Sequence, residues 1–458
     1  MIFQQIVNEE SGCLSYILGC AEAGEALVVD PGRDRVAEYV ARARKKGLRI
    51  TGIVETHTHA DHISGNRDLA ATTRARIMMH HAADAAFDHT RVRDGDEIGI
   101  GTLGVKVLHT PGHTPDSICL LITDRGRGSE PWFVLTGDTL FVGSVGRPDF
   151  GGEGAAEEMY ESLRRVLLAL GDSVEVYPAH GAGSLCGRAM SSKSGSTIGF
   201  ERRFNGALRV EDKRAFVANL MADIPPRPPS FETIVGKNRG TLPLHTAKPR
   251  PYGAREARQA ISRGAVVLDL RDPGTYGAGH VPGALNVWIE SPQFGDRVAA
   301  FVTPGVPILV VANETSDLER ALQALARVGV DDVVGSFQWG MIDWRSEGLP
   351  VETVPQITAH DLEDWIDEGR EVVVVDVREP FEWMEGHIAG ALHVPMLEAL
   401  RRQGDLPPDR PKAVLCAGGL RSSTVISALK RQGLTNWYNV TGGMTAWLKA
   451  GYPVQKQR

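Results

Sequence analysis

Four side chains that can bind a metal ion occur close together, in the segment T-H-T-H-A-D-H at residues 56–62. So many imidazoles and carboxylates make a poor core pattern, because each would need a buried polar partner. The segment follows an apolar run, and alternation at the exit of a strand predicts that His57 and His59 point to one side. A turn into a following helix would bring Asp61 and His62 around to them. The spacing therefore indicates a metal cradle.

Three more candidate ligands follow other apolar segments. They are His113 in T-P-G-H-T, Asp138 in T-G-D-T and His180 in Y-P-A-H-G. A single loop histidine is usually a hydrogen-bonded structural residue. The ordered series H-x-H-x-D-H, H, D and H is hard to explain in that way and predicts a metal-binding site.

One cysteine indicates a second type of chemistry. Cys416 lies between the apolar run Ala413–Leu415 and a helical pattern that extends to about Lys430. Backbone N–H groups of the loop and the positive end of the helix should face the sulfur and favour its thiolate. Such a cradle also stabilises a persulfide anion or an incoming thiosulfate. The candidate residues beside Cys416 are Gly418, Gly419, Arg421 and Ser422.

Hydrophobic periodicity predicts the elements that position these residues. A helical pattern covers Arg33–Lys46 and ends at Gly47. The last three predicted strands run into polar loops that carry His or Asp, where α/β proteins usually place their chemistry. Strands are predicted at Ala26–Asp30, Ile50–Glu55, Val105–His109, Trp132–Thr136 and Val174–Tyr177.

The second half of the chain contains an internal duplication. Val266–Pro273 is echoed by Val373–Pro380, and Gly279–Leu285 is echoed by Gly386–Leu392. A third match, G-M-x-x-W, follows in both copies. Three matched segments in one order indicate a tandem repeat. Because apolar strand runs alternate with helical patterns, each copy is predicted to be an α/β domain with a parallel sheet.

The duplication divides the chain into three predicted domains. Residues 1–244 form the metal-binding domain, 245–355 the first copy and 356–458 the second copy. A proline-rich segment at residues 224–230 is predicted to be an extended connector, after which the composition changes.

The first copy lacks the cysteine of the second. Ala312 stands at about the position of Cys416, and the loop 312–317 contains neither cysteine nor glycine. That copy is therefore predicted to be a structural spacer or a docking module. His280 and His387 occur in both copies, which favours a role in the fold over one in catalysis.

Composition argues against several classes of partner. The 458 residues carry 50 Lys and Arg against 57 Asp and Glu, a net charge of -7, without a basic cluster. This argues against nucleic acid and membrane as partners. The first ten residues have no apolar signal-peptide core, and no apolar run could span a bilayer. Five scattered cysteines without a C-x-x-C pair predict a reducing cytoplasm. A monomer and a homo-oligomer both stay open.

The ligand series resembles that of the metallo-β-lactamase superfamily, over about the first 240 residues. The resemblance implies a four-layer αββα sandwich. Hydrolases of the superfamily use all seven positions to hold two metal ions, whereas its persulfide dioxygenases bind one Fe(II) through three. Transferred to this sequence, the three are His57, His113 and Asp138, which leave coordination positions for a persulfide and O₂. The others would orient ligands or contact substrate and water: His59, Asp61, His62 and His180.

Two further segments resemble the dioxygenases. The sequence G-S-V-G-R-P-D-F at 143–150 is similar to their G-R-x-D segment. Arg147 in it is suited either to hold the loop through Asp149 or to bind an anionic substrate. The sequence H-G-A-G-S-L-C-G from His180 resembles dioxygenase–rhodanese fusions rather than stand-alone glutathione-persulfide enzymes. Cys186 in it is either a thiol near the metal that takes up sulfur or a buried inert thiol.

The pattern C-x-x-G-x-R-S from Cys416, with Asp376, Arg378 and Gly386-His387 upstream, resembles single-domain rhodaneses. The resemblances imply an N-terminal αββα sandwich followed by two α/β rhodanese-like domains with parallel sheets. They also imply oxidation of a thiol persulfide with O₂ and water to thiol and sulfite. Cys416 would move sulfane sulfur, either to sulfite to give thiosulfate or in the reverse direction.

Two other interpretations stay open. All seven ligand positions are compatible with a hydrolase of glyoxalase II type, which would hold two Zn ions and cleave a thioester. The chain could also be a sulfur carrier whose metal domain only binds substrate. The thiol itself, whether glutathione, coenzyme A, a bacillithiol-like compound or a protein, does not follow from the sequence.

Overall fold

The chain forms two compact units. The first comprises Met1–Leu244 with Ala326–Gly329, and the second comprises His245–Leu325 with Val330–Arg458. The computed structural model describes all residues except Glu10, Glu153, residues 182–189, Asp223, Pro225, Pro226, Pro229, residues 244–248, Gln457 and Arg458.

The first sheet of the first unit consists of β1 (Ile2–Val7), β2 (Leu14–Cys20), β3 (Glu25–Val29), β4 (Arg49–Val54), β5 (Arg76–His80) and β6 (Thr90–Val92). These strands follow one another in chain order across the sheet. The pairs β1·β2 and β2·β3 are antiparallel, and the pairs from β3 to β6 are parallel. The parallel strands end at one edge, where polar loops follow β3 and β4.

The second sheet contains β7 (Glu97–Ile100), β8 (Leu103–His109), β9 (Ile118–Asp124), β10 (Phe133–Gly137), β13 (Glu175–Pro178) and β14 (Ser196–Thr197). Its order is β14-β13-β10-β9-β8-β7, and only the β10·β13 pair is parallel. A small hairpin of β11 (Leu140–Phe141) and β12 (Ser144–Val145) follows β10.

Helices cover the outer faces of both sheets. They are α1 (Val36–Lys45), α2 (Asn66–Thr73), α3 (Ala155–Glu161), α4 (Ile198–Phe204) and α5 (Lys213–Met221), whereas α6 (Ser230–Asn238) lies at the loops that follow β4. Tyr39 and Leu69 bury α1 and α2 against the first sheet, and Met159 and Phe216 bury α3 and α5 against the second. A separate core cluster with members from both sheets lies between them. The αββα sandwich is confirmed.

The predicted elements of this unit are present, with ends displaced by one to three residues. The helical pattern at Arg33–Lys46 forms a 3₁₀ turn at Arg33–Arg35 and then α1. The proline-rich segment precedes α6 inside the first unit, and its Pro225, Pro226 and Pro229 lie outside the described residues. No helix among the residues the structure describes is long and apolar enough to cross a membrane.

The second unit contains two five-stranded parallel sheets. The first has β15 (Arg250–Tyr252), β16 (Val266–Asp269), β17 (Leu285–Asn286), β18 (Ile308–Val311) and β19 (Val333–Phe337). The second has β20 (Gln356–Ile357), β21 (Val373–Asp376), β22 (Leu392–His393), β23 (Lys412–Leu415) and β24 (Trp437–Val440). Their orders, β15-β19-β18-β16-β17 and β20-β24-β23-β21-β22, are equivalent. The parallel sheets predicted from the repeat are confirmed.

The helices of the second unit are α7 (Ala254–Ser262), α8 (Pro273–Ala278), α9 (Phe294–Phe301), α10 (Thr315–Arg327), α11 (Gly340–Ser346), α12 (Ala359–Asp367), α13 (Pro380–Glu385), α14 (Leu420–Lys430) and α15 (Gly443–Lys449). The central strands β16 and β21 are buried throughout, as expected for parallel strands covered on both faces. Helix α14 of the second repeat also packs on the first repeat. The Ser423 hydroxyl donates to Asn286 Oδ1 at 2.5 Å, and the Asn286 N–H donates to Ser427 Oγ at 2.9 Å.

Candidate functional sites

Three buried side chains of the first unit converge from three loops. His57 follows β4, His113 lies between β8 and β9, and Asp138 follows β10. One ligand atom of each lies within 4.8 Å of the others. The distances to Asp138 Oδ2 are 3.8 Å from His57 Nε2 and 3.5 Å from His113 Nε2. The structure thus brings together the three residues predicted to hold a single metal ion.

A hydrogen bond fixes the tautomer of His113. Its Nδ1 lies 2.8 Å from the carbonyl oxygen of Arg147. Because a carbonyl can only accept, Nδ1 carries the proton and Nε2 keeps its lone pair. The lone pair is therefore available to a metal ion on the side of Asp138.

His57 has the same tautomer through a relay. The Thr56 hydroxyl donates to Asp30 Oδ2 at 2.8 Å, so it must accept from His57 Nδ1, which lies 3.0 Å away. Nε2 of His57 and Oδ2 of Asp138 are buried and have no hydrogen-bond partner among the described residues. Buried ligand atoms left in this way fit a metal ion bound between them.

Electrostatics give the three groups the protonation states that metal binding requires. Burial lowers the pKa of His113 and moves the pKa of His57 well below its ordinary value, with a further contribution from His59. Burial alone would raise the pKa of Asp138, but the imidazoles of His180 and His57 lower it overall. The site therefore combines neutral imidazoles with an ionised carboxylate.

His180, after β13, contacts carboxylates through both ring nitrogens. Nδ1 lies 2.6 Å from Asp138 Oδ1, and Nε2 lies 2.8 Å from Asp61 Oδ2. A ring that donates twice has no lone pair left for a metal ion. His180 thus contacts Asp138 directly, and its place outside the ligand set stays a prediction.

His59 faces a different pair of carboxylates. Its Nε2 lies 3.2 Å from Asp30 Oδ1 and 3.2 Å from Glu55 Oε2. Burial lowers the pKa of His59, but the two carboxylates raise it well above its ordinary value. The rings of His57 and His59 lie side by side, with centroids 4.1 Å apart, but Asp30 and Glu55, at the ends of neighbouring strands, place His59 in a separate group of candidate ligands.

Asp61 and His62 form a third group with a residue that the sequence did not single out. Cys13 Sγ lies 3.3 Å from Asp61 Oδ2 and 3.9 Å from His62 Nδ1. Burial lowers the pKa of His62, but Asp61 raises it, to about 9. An antiparallel β-bridge between the backbones of Cys13 and His180 places the cysteine next to Asp61 and His62. No local sequence signal could have revealed that pairing.

The segment around Arg147 encloses the cluster. A Cβ atom on Gly146 would lie 1.9 Å from the carbonyl oxygen of Asp138, so only glycine permits this approach. The Arg147 guanidinium donates to both oxygens of Asp149, at 2.7 and 2.9 Å. Of its two predicted roles, these contacts correspond to holding the loop, and binding of a substrate stays a prediction.

A cavity of about 670 Å³ lies beside the cluster. The Phe150 ring in its wall is 5.4 Å from the His113 ring. The other lining residues combine threonines next to the ligands with aromatic and cationic side chains, among them Thr58, Thr114, Phe231, Arg227 and Arg239.

Cys186 lies outside the described residues, so its position relative to the metal stays a prediction.

Cys416 in the second unit directly follows β23 and is buried. The Gly419 N–H donates to its sulfur at 3.1 Å, and Ser422 Oγ lies 3.7 Å from it. Gly419 has φ +94°, which an L side chain rarely adopts, and a Cβ on Gly418 would meet open space. The predicted N–H cradle at the start of α14 is present.

Arg421 lies in the same pocket but has a partner. Its guanidinium donates to both carboxylate oxygens of Glu382, at 2.6 and 2.7 Å. Burial lowers the pKa of Arg421, but Glu382 and Cys416 raise it overall. Arg421 is thus held near the sulfur by an ion pair, and a direct catalytic role stays a prediction.

The first repeat presents no thiol at the equivalent position. Asp269 pairs in register with Val311, as Asp376 pairs with Leu415, so the next residue along each strand corresponds. That residue is Ala312 in the first repeat and Cys416 in the second.

Comparisons with known proteins agree with this architecture. Residues 9–181 match the family model of the metallo-beta-lactamase superfamily. Residues 253–347 and 358–450 each match the rhodanese-like domain.

Two groups of curated relatives match the first unit. A hydroxyacylglutathione hydrolase of Nitrosococcus oceani is 36% identical over 172 residues, which are 36% of this chain and 61% of that protein. The mitochondrial persulfide dioxygenase ETHE1 of Bos taurus is 31% identical over 183 residues, 39% of this chain and 68% of that protein. The matched region thus spans less than two thirds of the hydrolase's length.

A solved structure covers more of the chain. The metallo-beta-lactamase from Staphylococcus aureus subsp. aureus COL is 31% identical, with a TM-score of 0.64, over 74% of this chain and 98% of that chain.

Proposed function

The chain belongs to the metallo-β-lactamase superfamily and continues into two rhodanese-like domains, and on this premise we propose that it is a persulfide dioxygenase with a sulfur-transfer site at Cys416. The proposed reaction converts a low-molecular-weight thiol persulfide, O₂ and water into thiol and sulfite. The single observation that carries the proposal is the separation of the seven ligand positions into three groups, one of which consists of His57, His113 and Asp138 alone.

That separation favours one metal ion. His57, His113 and Asp138 keep ligand atoms directed at one another. The other four positions lie in the two other groups, where His180 contacts Asp138 and Asp61 and His59 faces Asp30 and Glu55. Two imidazoles and a carboxylate form the ligand set of mononuclear non-haem iron sites that activate O₂.

Each neighbour of the cluster has a definable task. Bound Fe(II) would supply redox chemistry between the persulfide sulfur and O₂. Thr56 and the Arg147 carbonyl hold the two imidazoles in the ligand tautomer, and His180 holds the carboxylate. The adjacent cavity would take the thiol part of the substrate, with Arg239 in its wall available to acidic groups.

Sulfur transfer at Cys416 is the second half of the proposal. The Cys416 thiolate would attack the sulfane sulfur of thiosulfate, the S–S bond would break, and sulfite would leave with the bonding electron pair. In the other direction, a second thiol persulfide would transfer its sulfane sulfur to the Cys416 thiolate and leave as thiol. Sulfite released at the metal site would then attack the outer sulfur of the Cys416 persulfide, giving thiosulfate and the free Cys416 thiolate. The Gly419 N–H, 3.1 Å from the sulfur, would stabilise the anion in both directions.

A binuclear zinc thioester hydrolase is the second candidate. It is favoured by the hydrolase relatives and by the group of Cys13, Asp61, His62 and His180, whose ligand atoms also lie within 4.8 Å of one another. In this interpretation the His180 ring would have to give up one of its two carboxylate contacts.

Oxygen uptake by the iron-loaded chain, across a panel of thiol persulfides, tests the proposal. We expect uptake with at least one persulfide, and a fall of at least about 100-fold in His113→Ala, which loses a ligand. His81→Ala is the matched control, since His81 is an exposed histidine outside the cluster. Thioester cleavage by zinc-loaded protein without any O₂ uptake would contradict the proposal.

A further inference from the structure

A cation of the first repeat lies beside the sulfur site of the second. Arg297 is on α9, and its Nη1 atom is buried without a hydrogen-bond partner in the described part of the chain. A buried guanidinium nitrogen without an acceptor is costly, so this atom is suited to bind an anion. Val298, the next residue on α9, shares a core cluster with Ala428 of α14, the helix that begins after the Cys416 loop.

Charge relationships link Arg297 to the cysteine pocket. Burial lowers the pKa of Arg297 to about 10, and Arg421 lowers it too, whereas Cys416 raises it. Arg297 is thus within electrostatic reach of both the sulfur and the pocket's own arginine. Because Arg421 already donates to both oxygens of Glu382, much of its charge is compensated.

Packing between the two repeats holds the first repeat next to the helix that follows Cys416. Helix α14 begins directly after the cysteine loop, and its residues from Ser422 to Leu429 are all buried. Asn286 of the first repeat binds two serines of this helix. The first repeat therefore forms part of the surroundings of the cysteine pocket, although it has no thiol of its own.

We propose that Arg297 binds the oxyanion end of thiosulfate or sulfite above Cys416, so that the first repeat supplies part of the sulfurtransferase site. The inference rests on the sulfur-transfer half of the proposed function. The outer sulfur of thiosulfate would face the Cys416 thiolate, and its three oxygens would face the guanidinium. When the S–S bond breaks, the bonding electron pair leaves with sulfite, whose added charge Arg297 would stabilise.

Thiosulfate-to-cyanide sulfur transfer by the full chain tests this role. Arg297→Gln removes the charge and keeps most of the volume, so KM for thiosulfate should rise about 10- to 100-fold, as expected for one charged contact. Arg297→Lys should recover part of that loss. Arg258→Gln is the matched control, because Arg258 is an exposed arginine of the same repeat. An unchanged KM in Arg297→Gln, or a fall in kcat alone, would overturn the inference.

A binding measurement separates this inference from the proposed function. Sulfite contains no sulfane sulfur, so it can occupy the pocket without reacting with the thiolate. We expect sulfite to protect Cys416 from iodoacetamide, and Arg297→Gln to need about 10- to 100-fold more sulfite for equal protection. If the wild type transfers no sulfur, the proposed role of Cys416 fails, and this measurement still decides the role of Arg297. Equal protection in both proteins would overturn the inference.

Discussion

The two rhodanese-like repeats have the same framework and different loops. In the first, the Arg271 guanidinium donates to Asp269 at 2.5 and 2.8 Å and to the carbonyl of Gly279. In the second, Arg378 makes the equivalent contacts to Asp376 and Gly386. These buried ion pairs join the end of a central strand to the segment after the next helix, and both repeats keep them.

The repeated histidines belong to the same framework. The His280 Nδ1–H donates to the Tyr276 carbonyl at 2.9 Å, and the His387 Nδ1–H donates to the Trp383 carbonyl at 3.0 Å. Each imidazole stacks on that aromatic ring, with centroids 3.8 and 3.6 Å apart. These contacts give both histidines a structural role.

The repeats differ where the strand turns into the following helix. Cys416 enters a glycine loop with an N–H aimed at its sulfur, whereas Ala312 enters a loop without glycine. The sheet and its ion pairs therefore specify the fold of both repeats, whereas the loop after one strand specifies the chemistry. A repeat without this cysteine loop can still contribute surface residues to the site of the other repeat.

Among changes that test the difference between the repeats, loss of the Cys416 thiol should have the largest effect. Cys416→Ser should lower sulfur transfer from thiosulfate by at least about 1,000-fold, because the hydroxyl is a poor nucleophile and leaves no persulfide. Oxygen uptake should be largely preserved, since the proposed metal ligands all lie in the first unit. Given a persulfide, the variant should release sulfite where the wild type releases thiosulfate. An unchanged product ratio, measured by chromatography, would break the link between the two activities.

Breaking the shared ion pairs should cost stability in both repeats. Asp269→Asn and Asp376→Asn each leave a buried arginine without its carboxylate, and each should lower the free energy of unfolding by about 3–5 kcal/mol. Glu368→Gln, at an exposed pair with Arg370, should change it by less than about 0.5 kcal/mol. Urea denaturation followed by circular dichroism measures these changes. A large effect in only one repeat would contradict the common framework.

Two neighbouring serines should separate catalysis from packing. The Ser422 hydroxyl donates to Asn439 Oδ1 at 2.6 Å and lies 3.7 Å from the sulfur of Cys416. Ser422→Ala should lower kcat for sulfur transfer about 3- to 10-fold, as one neutral hydrogen bond predicts. Ser423→Ala should affect stability more than kcat, because Ser423 binds Asn286 instead. A larger loss of kcat in Ser423→Ala than in Ser422→Ala would mean that the cysteine pocket does not lie on the Ser422 face of α14.

Restoring the thiol alone should have the smallest effect. Ala312→Cys in the Cys416→Ser background should stay at the background rate, because the loop around residue 312 has no glycine to aim an N–H at sulfur. The assay is again thiosulfate-to-cyanide transfer. Recovery of measurable activity would mean that the loop matters less than the comparison implies.

Local sequence patterns were sufficient for much of this account. His113 and Asp138 follow recognisable strands, and a polar loop after a strand is a local signal. The nucleophile loop of Cys416 could be predicted for the same reason. The ligand series was specific enough to indicate the αββα fold.

Contacts between distant segments could not be predicted in the same way. Cys13 contacts Asp61 only because it forms a β-bridge with His180, and α9 of the first repeat meets α14 only because the two repeats pack together. The contacts of His59 with Asp30 and Glu55 likewise join residues that follow the ends of neighbouring strands. Such pairings depend on tertiary packing, which overrides local periodicity.

The most direct test of a single iron site at His57, His113 and Asp138 is the metal content of the purified chain, determined by mass spectrometry together with protein concentration. We expect one iron per chain, its loss in His57→Ala, and its retention in His62→Ala, because His62 contacts Asp61 and Cys13 and lies outside the ligand triad. Two zinc ions per chain, with one of them lost in His62→Ala, would contradict it.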